Sequence, residues 1–284
     1  MSGIGHSTYR VAPTGVDHID ALLGETAWRD ATLTYSFPTQ SPGSEPFPSD
    51  GAEDAAPPDY SLYGSGEPIG LMGASQEMQE AAHFLLSAVH GGASSAGFSV
   101  EGLTGLEVEF VTSPEAHVRI AQTTQDPYDY STAWAYHPAT SATGGDVWLT
   151  TEKYDYSTPA PGSYASMTLM HEIGHAMGLE HGHSADSFAA LPEEFDSMEY
   201  SIMTYRSYTG ASATSWTNEA AGYAQTWMML DIAALQHLYG ADYTTNSGNT
   251  RYKWDPEHGV TYVDGEASII PEANRIFATV WDGG

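Results

Sequence analysis

At 284 residues, with ordinary apolar content, the chain is long enough to bury one large core or two modest ones. It has no cysteine, which excludes disulfides, thiolate metal sites and a cysteine nucleophile; any metal must be held by histidine, carboxylate or tyrosine. Its 37 acids face eight lysines and arginines, a formal charge of −29. That charge argues against nucleic acid or an anionic membrane as a partner and reads as a solvated acidic coat.

The N-terminal MSGIGH lacks a basic region followed by an apolar run, and no stretch approaches the roughly 20 apolar residues of a membrane span, so neither a Sec-type signal peptide nor a membrane helix is expected. In chain order, DHIDALLG (17–24) reads as a short helix with Ile19, Leu22 and Leu23 on one side and Gly24 as terminator. ATLTYSF (31–37) alternates like a strand. Residues 38–70, rich in Pro, Gly, Ser and acids, read as a long surface loop. SQEMQEAAHFLLSAVH (75–90) forms an amphipathic helix with Ser75 as N-cap and glycines 91–92 as its end. Strands are expected at 106–111, 117–123, 131–138 and 145–150, followed by a helix carrying His171. A second strong helix is expected at 220–239, with Gly240 just past its end and Trp227, Met228 and Met229 as core residues within its period. From 241 to 284 the pattern turns to short strands, which suggests a boundary near 240.

The most informative stretch is HEIGHAMGLEH, His171 to His181. On a helix His171 and His175 project from one face a turn apart, the spacing at which two imidazoles reach one zinc ion. Glu172, beside the first, is placed to take a proton from a metal-bound water. Gly178 can adopt φ > 0, end the helix and return the chain, so that His181 closes a three-histidine site with one corner left for solvent. A helix carrying histidines for unrelated reasons would not need Gly178 and His181 at these offsets.

H-E-x-x-H-x-x-G-x-x-H resembles the signature of the metzincin zinc endopeptidases. SIMTY (201–205) resembles their methionine turn, with Met203 as the apolar floor under the histidines. Tyr205 matches the tyrosine that serralysin-type members use as a switchable zinc ligand, one that moves to hydrogen-bond the reaction intermediate. STAWAYHP, GGDVWL, LDIAALQHLYG and NTRYKWDP…FATVWDGG are similar to serralysin segments in serralysin order. Two departures stand out. Gly182 replaces the proline common after the third histidine, and the chain stops at Gly284, where glycine- and aspartate-rich calcium repeats and an export signal would begin.

The resemblance implies an α+β zincin catalytic domain over residues 1–240. It would have a twisted mixed sheet, two long helices and a lower lobe holding Met203, with residues 1–16 left as a flexible or propeptide remnant. A short β-rich segment at 241–284 would begin a C-terminal domain. The implied activity is zinc-dependent endopeptidase cleavage of extracellular or unfolded proteins. A substrate strand would pair with Ala133, Trp134, Ala135, Tyr136 and His137 through their backbones. A calcium site at Gly248, Thr250, Asp282 and Gly284 is implied but lacks a downstream acid; a plain hairpin turn is the alternative. A secreted bacterial monomer is expected. The competing readings are a matrixin-like protease and a non-catalytic module that keeps zinc for stability. Among the other histidines, His183 is expected to face solvent or bind loop backbone, and His83 and His90 to pack or lie on the surface. His137 is a candidate for the cleft. No G-x-S-x-G elbow or phosphate-cradling loop is present.

Overall fold

The computed structural model describes residues 6–38, 70–113, 115–124 and 132–284. Nearly all of the expected 38–70 loop lies outside the described residues, as do residues 1–5 of the N-terminal remnant. Alternating residues produce β1 (Thr8–Arg10), β2 (Thr26–Trp28) and β3 (Thr32–Ser36), with the short helix α1 (Asp17–Asp20) between the first two. Then come β4 (Leu71–Met72), α2 (Gln76–Leu86), a 3₁₀ helix at Ala93–Phe98, α3 (Val100–Leu103), β5 (Glu107–Phe110), β6 (Val118–Thr123), β7 (Ala133–Ala135) and β8 (Asp146–Thr150). The remainder holds α4 (Tyr164–Ala176), α5 (Met229–Tyr239), β9 (Tyr252–Trp254), β10 (Thr261–Val263) and β11 (Glu266–Ile269).

The main sheet has six strands in the order β5-β3-β6-β8-β7, with β4 pairing β6 off that path. The pairs β3–β5, β3–β6 and β6–β8 are parallel, while β4 and β7 run antiparallel to their neighbours, so the sheet is mixed. Every residue of β6 and β8 is buried, as strands covered on both faces require. A fully buried Arg119 on β6 is neutralised by Asp146 on β8 at 2.5 Å and also donates to the Gly144 carbonyl at 3.1 Å. This pins the loop that follows the edge strand β7. The fold is thus mixed α/β, compatible with a metzincin catalytic domain.

Helix α2 starts where Ser75 Oγ accepts from Met78 N–H and buries Met78, Ala82, Leu85 and Leu86. It ends at Leu86, short of the expected residue 90, because Ser87 takes an extended conformation. The expected 17–24 helix also shortens. After Asp20 the chain turns, and Leu23 forms an antiparallel bridge with Leu179, so Gly24 belongs to an extended pairing and terminates nothing. The largest difference concerns 220–239, where only Met229–Tyr239 is helical. The backbone before it bonds elsewhere: Tyr223 N–H to Gly162 O at 3.0 Å and Gln225 N–H to Phe277 O at 2.8 Å. Thr279 N–H donates to Thr226 Oγ1 at 2.8 Å. Pairing with the returning C-terminal segment thus replaces helix. Trp227 and Met228 are core as expected, but Met229 is 47% exposed.

Residues beyond α5 form an antiparallel sheet in the order β11-β10-β9. Val263 and Ile269 from this sheet pack with Phe98 of the 3₁₀ helix. No helix among the described residues is long and apolar enough to cross a membrane.

Helix α5 is tied to the 201–203 turn through one fully buried carboxylate. Asp231 Oδ2 accepts from Met228 N–H at 2.9 Å and Ile202 N–H at 3.0 Å, and Oδ1 from the Ser201 hydroxyl at 2.6 Å. Burial outweighs these three donors and pushes the Asp231 carboxyl from 3.8 up to about 7. The folded chain therefore holds this proton more tightly than the unfolded chain, a contribution fully present below pH 3.8 and lost as pH rises through about 7. Asp231→Ala strands three buried donors and should lower unfolding free energy by about 3 kcal/mol. Measured against Asp231→Asn by urea denaturation, the wild type should lose relative stability between pH 4 and pH 7.

Candidate metal centre

Ser163 Oγ accepts from Ser166 N–H at 3.1 Å and starts α4, which is buried from Ala165 to Ala176. A helix enclosed on every side can hold polar side chains only where they meet partners, and His171 and His175 meet them twice over. Each ring's Nδ1 lies against a backbone carbonyl, His171 on Ile202 O at 2.8 Å and His175 on Leu179 O at 2.9 Å. A carbonyl only accepts, so each Nδ1 carries the proton and each Nε2 presents a lone pair.

The helix stops at Gly178, whose φ is +98° and where a Cβ would sit 2.8 Å from Thr26 O. Leu179 N–H bonds back to Gly174 O at 2.9 Å, and the reversed chain brings His181 round. The three Nε2 atoms then lie 3.1–3.2 Å apart. A tetrahedral zinc ion with bonds of 2.0–2.1 Å would hold such atoms about 3.3 Å apart. Burial and mutual repulsion lower the His171 pKa to about 3 and that of His181 to about 2, and His175 moves the same way. The rings are neutral, as ligands must be. With two Nε2 lone pairs forced inward, three imidazoles cannot satisfy one another by hydrogen bonds, and a cation at their centre resolves the conflict. The donor set fits zinc.

Met203 is fully buried, and a Cβ on Gly174, the residue before His175, would come within 2.6 Å of its sulfur. Glycine there admits the methionine against the helix. The Glu172 carboxyl is buried, which raises its pKa to about 8. Tyr205 stands with its ring centroid 4.9 Å from that of His181 and 5.6 Å from that of His171, Trp216 closing its other side at 5.1 Å. Burial, with Glu172 and Tyr164 nearby, raises its pKa, so the phenol keeps its proton.

No family profile matches the chain. Against individual proteins it is 34% identical to metallopeptidase AprA of Pseudomonas marginalis over 165 residues, which is 55% of this chain and 34% of that protein. It is 31% identical to serralysin of Proteus mirabilis over 172 residues, 56% of this chain and 33% of that one. With serralysin C of Dickeya chrysanthemi the figure is 31% over 163 residues, 55% and 32% of the two chains. The chain is a relative of the serralysin-type metalloproteases. It spans about a third of the length of these relatives.

The remaining residues singled out in this serralysin relative fall into three groups. Ala133 and Ala135 are half-buried on the edge strand β7, Trp134 is buried against Trp148 on the opposite face, and Tyr136 packs beside them. His137 lies behind His175, on the Nδ1 side of that ring and away from the three converging nitrogens, its Nε2 3.1 Å from Leu179 O and 3.4 Å from His175 Nδ1. His183 stays outside the trio: its Nδ1 accepts from Tyr205 N–H at 3.4 Å and its ring lies along that of Tyr205. His83 and His90 stack on each other at 5.2 Å, far from the trio in the fold, with His83 bonded to the Tyr35 hydroxyl.

The third group is the candidate calcium set. The structure brings Gly284 against the 244–250 turn, with Gly283 N–H on Thr245 O at 2.8 Å. The Asp282 carboxylate is already engaged, by the Tyr252 hydroxyl at 2.7 Å and Gly284 N–H at 3.1 Å, and Thr250 Oγ1 donates to Asn246 O at 3.0 Å. Sequence reading missed Glu180, whose Oε1 accepts from His181 N–H at 2.8 Å, although an acid next to a candidate ligand was a usable signal. It also missed a second cluster, His6, Asp30 and His117. There Thr34 N–H donates to His117 Nδ1 at 3.0 Å, so the other nitrogen carries the proton and gives it to Asp30 at 3.1 Å.

Elemental analysis after dialysis should find one tightly held zinc per wild-type chain. His171→Ala, His175→Ala or His181→Ala should each retain less than about a tenth of it, because two imidazoles alone bind weakly.

Proposed function

We propose that this chain is a zinc-dependent endopeptidase that cleaves peptide bonds in extracellular or unfolded proteins. The observation that carries this reading is the convergence of three neutral Nε2 atoms beside the buried Glu172. His171, His175 and His181 would hold the zinc. The ion, when bound, supplies a Lewis acid that polarises a peptide carbonyl and acidifies water.

The chain's own groups do the rest. Glu172 takes a proton from the attacking water and returns it to the leaving amine. Burial raises this carboxyl and a bound cation lowers it, opposing effects that suit a group which must both take up and release a proton. Tyr205 keeps its phenolic proton and donates it in a hydrogen bond to the oxygen on which charge develops. Met203 floors the site and excludes water from below. The substrate lies as an added antiparallel strand on β7, an edge strand that among the described residues pairs only with β8. In the ladder the Tyr136 backbone turns inward, its N–H on Asp146 O at 2.9 Å, so Ala135 turns its backbone outward to the peptide.

On this reading residues up to about 240 form the protease unit and 241–284 begin a C-terminal β domain. Gly248, Thr250, Asp282 and Gly284 contribute part of a calcium site. The protein works as a monomer outside a bacterial cell.

Casein digestion with and without chelator tests the proposal. Glu172→Gln should retain zinc and lose activity by about 1,000-fold or more. Equal activity of the two proteins would overturn it, as would a wild type that is inert with its zinc in place. Tyr205→Phe should lower kcat by about 100-fold with KM little changed, since the bond it removes matters only as charge develops.

A further inference from the structure

We propose that His137, Glu180 and the Leu179 carbonyl form a second, weaker divalent-cation site beside the first, through which excess zinc inhibits the protein. His137 Nε2 lies 3.1 Å from Leu179 O and 3.8 Å from Glu180 Oε2. One imidazole nitrogen thus has a carbonyl oxygen and a carboxylate oxygen as neighbours, and the His137, His175 and Glu180 ligand atoms all lie within 4.8 Å of one another. Two zinc ligands at tetrahedral angles stand about 3.3 Å apart. The His137–Glu180 pair therefore has to close by about half an ångström to share one ion.

Glu180 is divided between the two sites. Its Oε1 is fixed by His181 N–H at 2.8 Å, which leaves Oε2 for the His137 side. Leu179 O accepts from His175 Nδ1 at 2.9 Å and has a second lone pair. His137 now donates its Nε2 proton to that oxygen. Ligation moves the proton to Nδ1, which has no hydrogen-bond partner among the described residues. The side chain of His137 is 35% exposed and that of Glu180 16%, so a hydrated ion can reach the pair from solvent. A formal charge of −29 draws cations to this surface.

The second ion must bind more weakly than the first, for two physical reasons. It meets one imidazole where the first meets three, and it is repelled by the first across a single histidine ring. Its effect follows from what it touches. A cation on the second lone pair of Leu179 O draws electron density from the oxygen that orients His175, and so weakens that hydrogen bond; an ion held by His137 stands at the end of the β7 edge. The inhibition rests on the proposed peptidase reading; the binding does not.

Zinc is titrated into the metal-loaded protein by equilibrium dialysis, with excess calcium present to fill carboxylate-only sites. The wild type should take up a second equivalent, held about 100-fold or more weakly than the first. His137→Phe should take up none, and Glu180→Gln should bind it at least about tenfold more weakly while retaining the first ion. Saturation of the wild type at one equivalent would overturn the proposal, as would a second equivalent that survives unchanged in His137→Phe. Casein digestion supplies the second arm: wild-type hydrolysis falls as the second equivalent fills, whereas hydrolysis by His137→Phe, whatever its starting level, does not. If neither protein digests casein, the peptidase reading fails and the dialysis still decides the site.

Discussion

Everything at the centre of this molecule depends on two backbone carbonyls. Ile202 O and Leu179 O take the Nδ1 protons of His171 and His175, and so turn both Nε2 lone pairs toward the same point. Without them either ring could flip or exchange tautomers, and the triangle of nitrogens would exist only part of the time. The two carbonyls come from different structural devices. Leu179 belongs to the turn that Gly178 makes possible, and that turn is held by an antiparallel bridge to Leu23. Ile202 belongs to a turn on the far side of the helix, held by Asp231.

Asp231 therefore does more than cap a helix. Its carboxylate gathers Met228 N–H, Ile202 N–H and the Ser201 hydroxyl, and Ser201 Oγ in turn accepts from Met203 N–H at 3.0 Å. The register of the turn that presents Ile202 O to His171 is thus set by a helix more than twenty residues downstream. Met203 rises from the same turn into the gap left by Gly174, so its contact with α4 and the orientation of His171 come from one hydrogen-bonded unit.

The convergence of the three histidines was legible because its information is local. An i, i+4 pair fixes a helix face, and a glycine followed by a third histidine fixes a reversal, so His171, His175, Gly178 and His181 can be read without knowledge of the rest of the chain. Strands β3, β5, β6 and β8 were legible for the same reason, through alternation or continuous apolar runs. What failed was long-range. The segment 220–228 has helical composition but gives its N–H groups to Gly162 and Phe277, residues far away in sequence. Helix α1 stops short because Leu23 is claimed by Leu179, and no local rule could have said so. Asp231 did leave a trace: a lone acid in the apolar run MMLDIAAL has to find partners somewhere.

The histidine cluster also has two unlike sides. His171 and His175 sit on a helix buried from Ala165 to Ala176, each with a backbone carbonyl on its Nδ1. His181 sits on the return segment after Gly178, its backbone anchored by Glu180, the residue just before it. The three rings are thus unequally buried: His171 and His175 are closed off, whereas 26% of the His181 side chain stays exposed. The open side is the one that faces Tyr205 and His183. Chemistry that needs a fixed electrostatic field is best served by the buried pair, and exchange with solvent by the open one. The split follows from burial: α4 is enclosed at His171 and His175, whereas Glu180 and His181 on the return segment stay partly exposed between the buried Leu179 and Gly182.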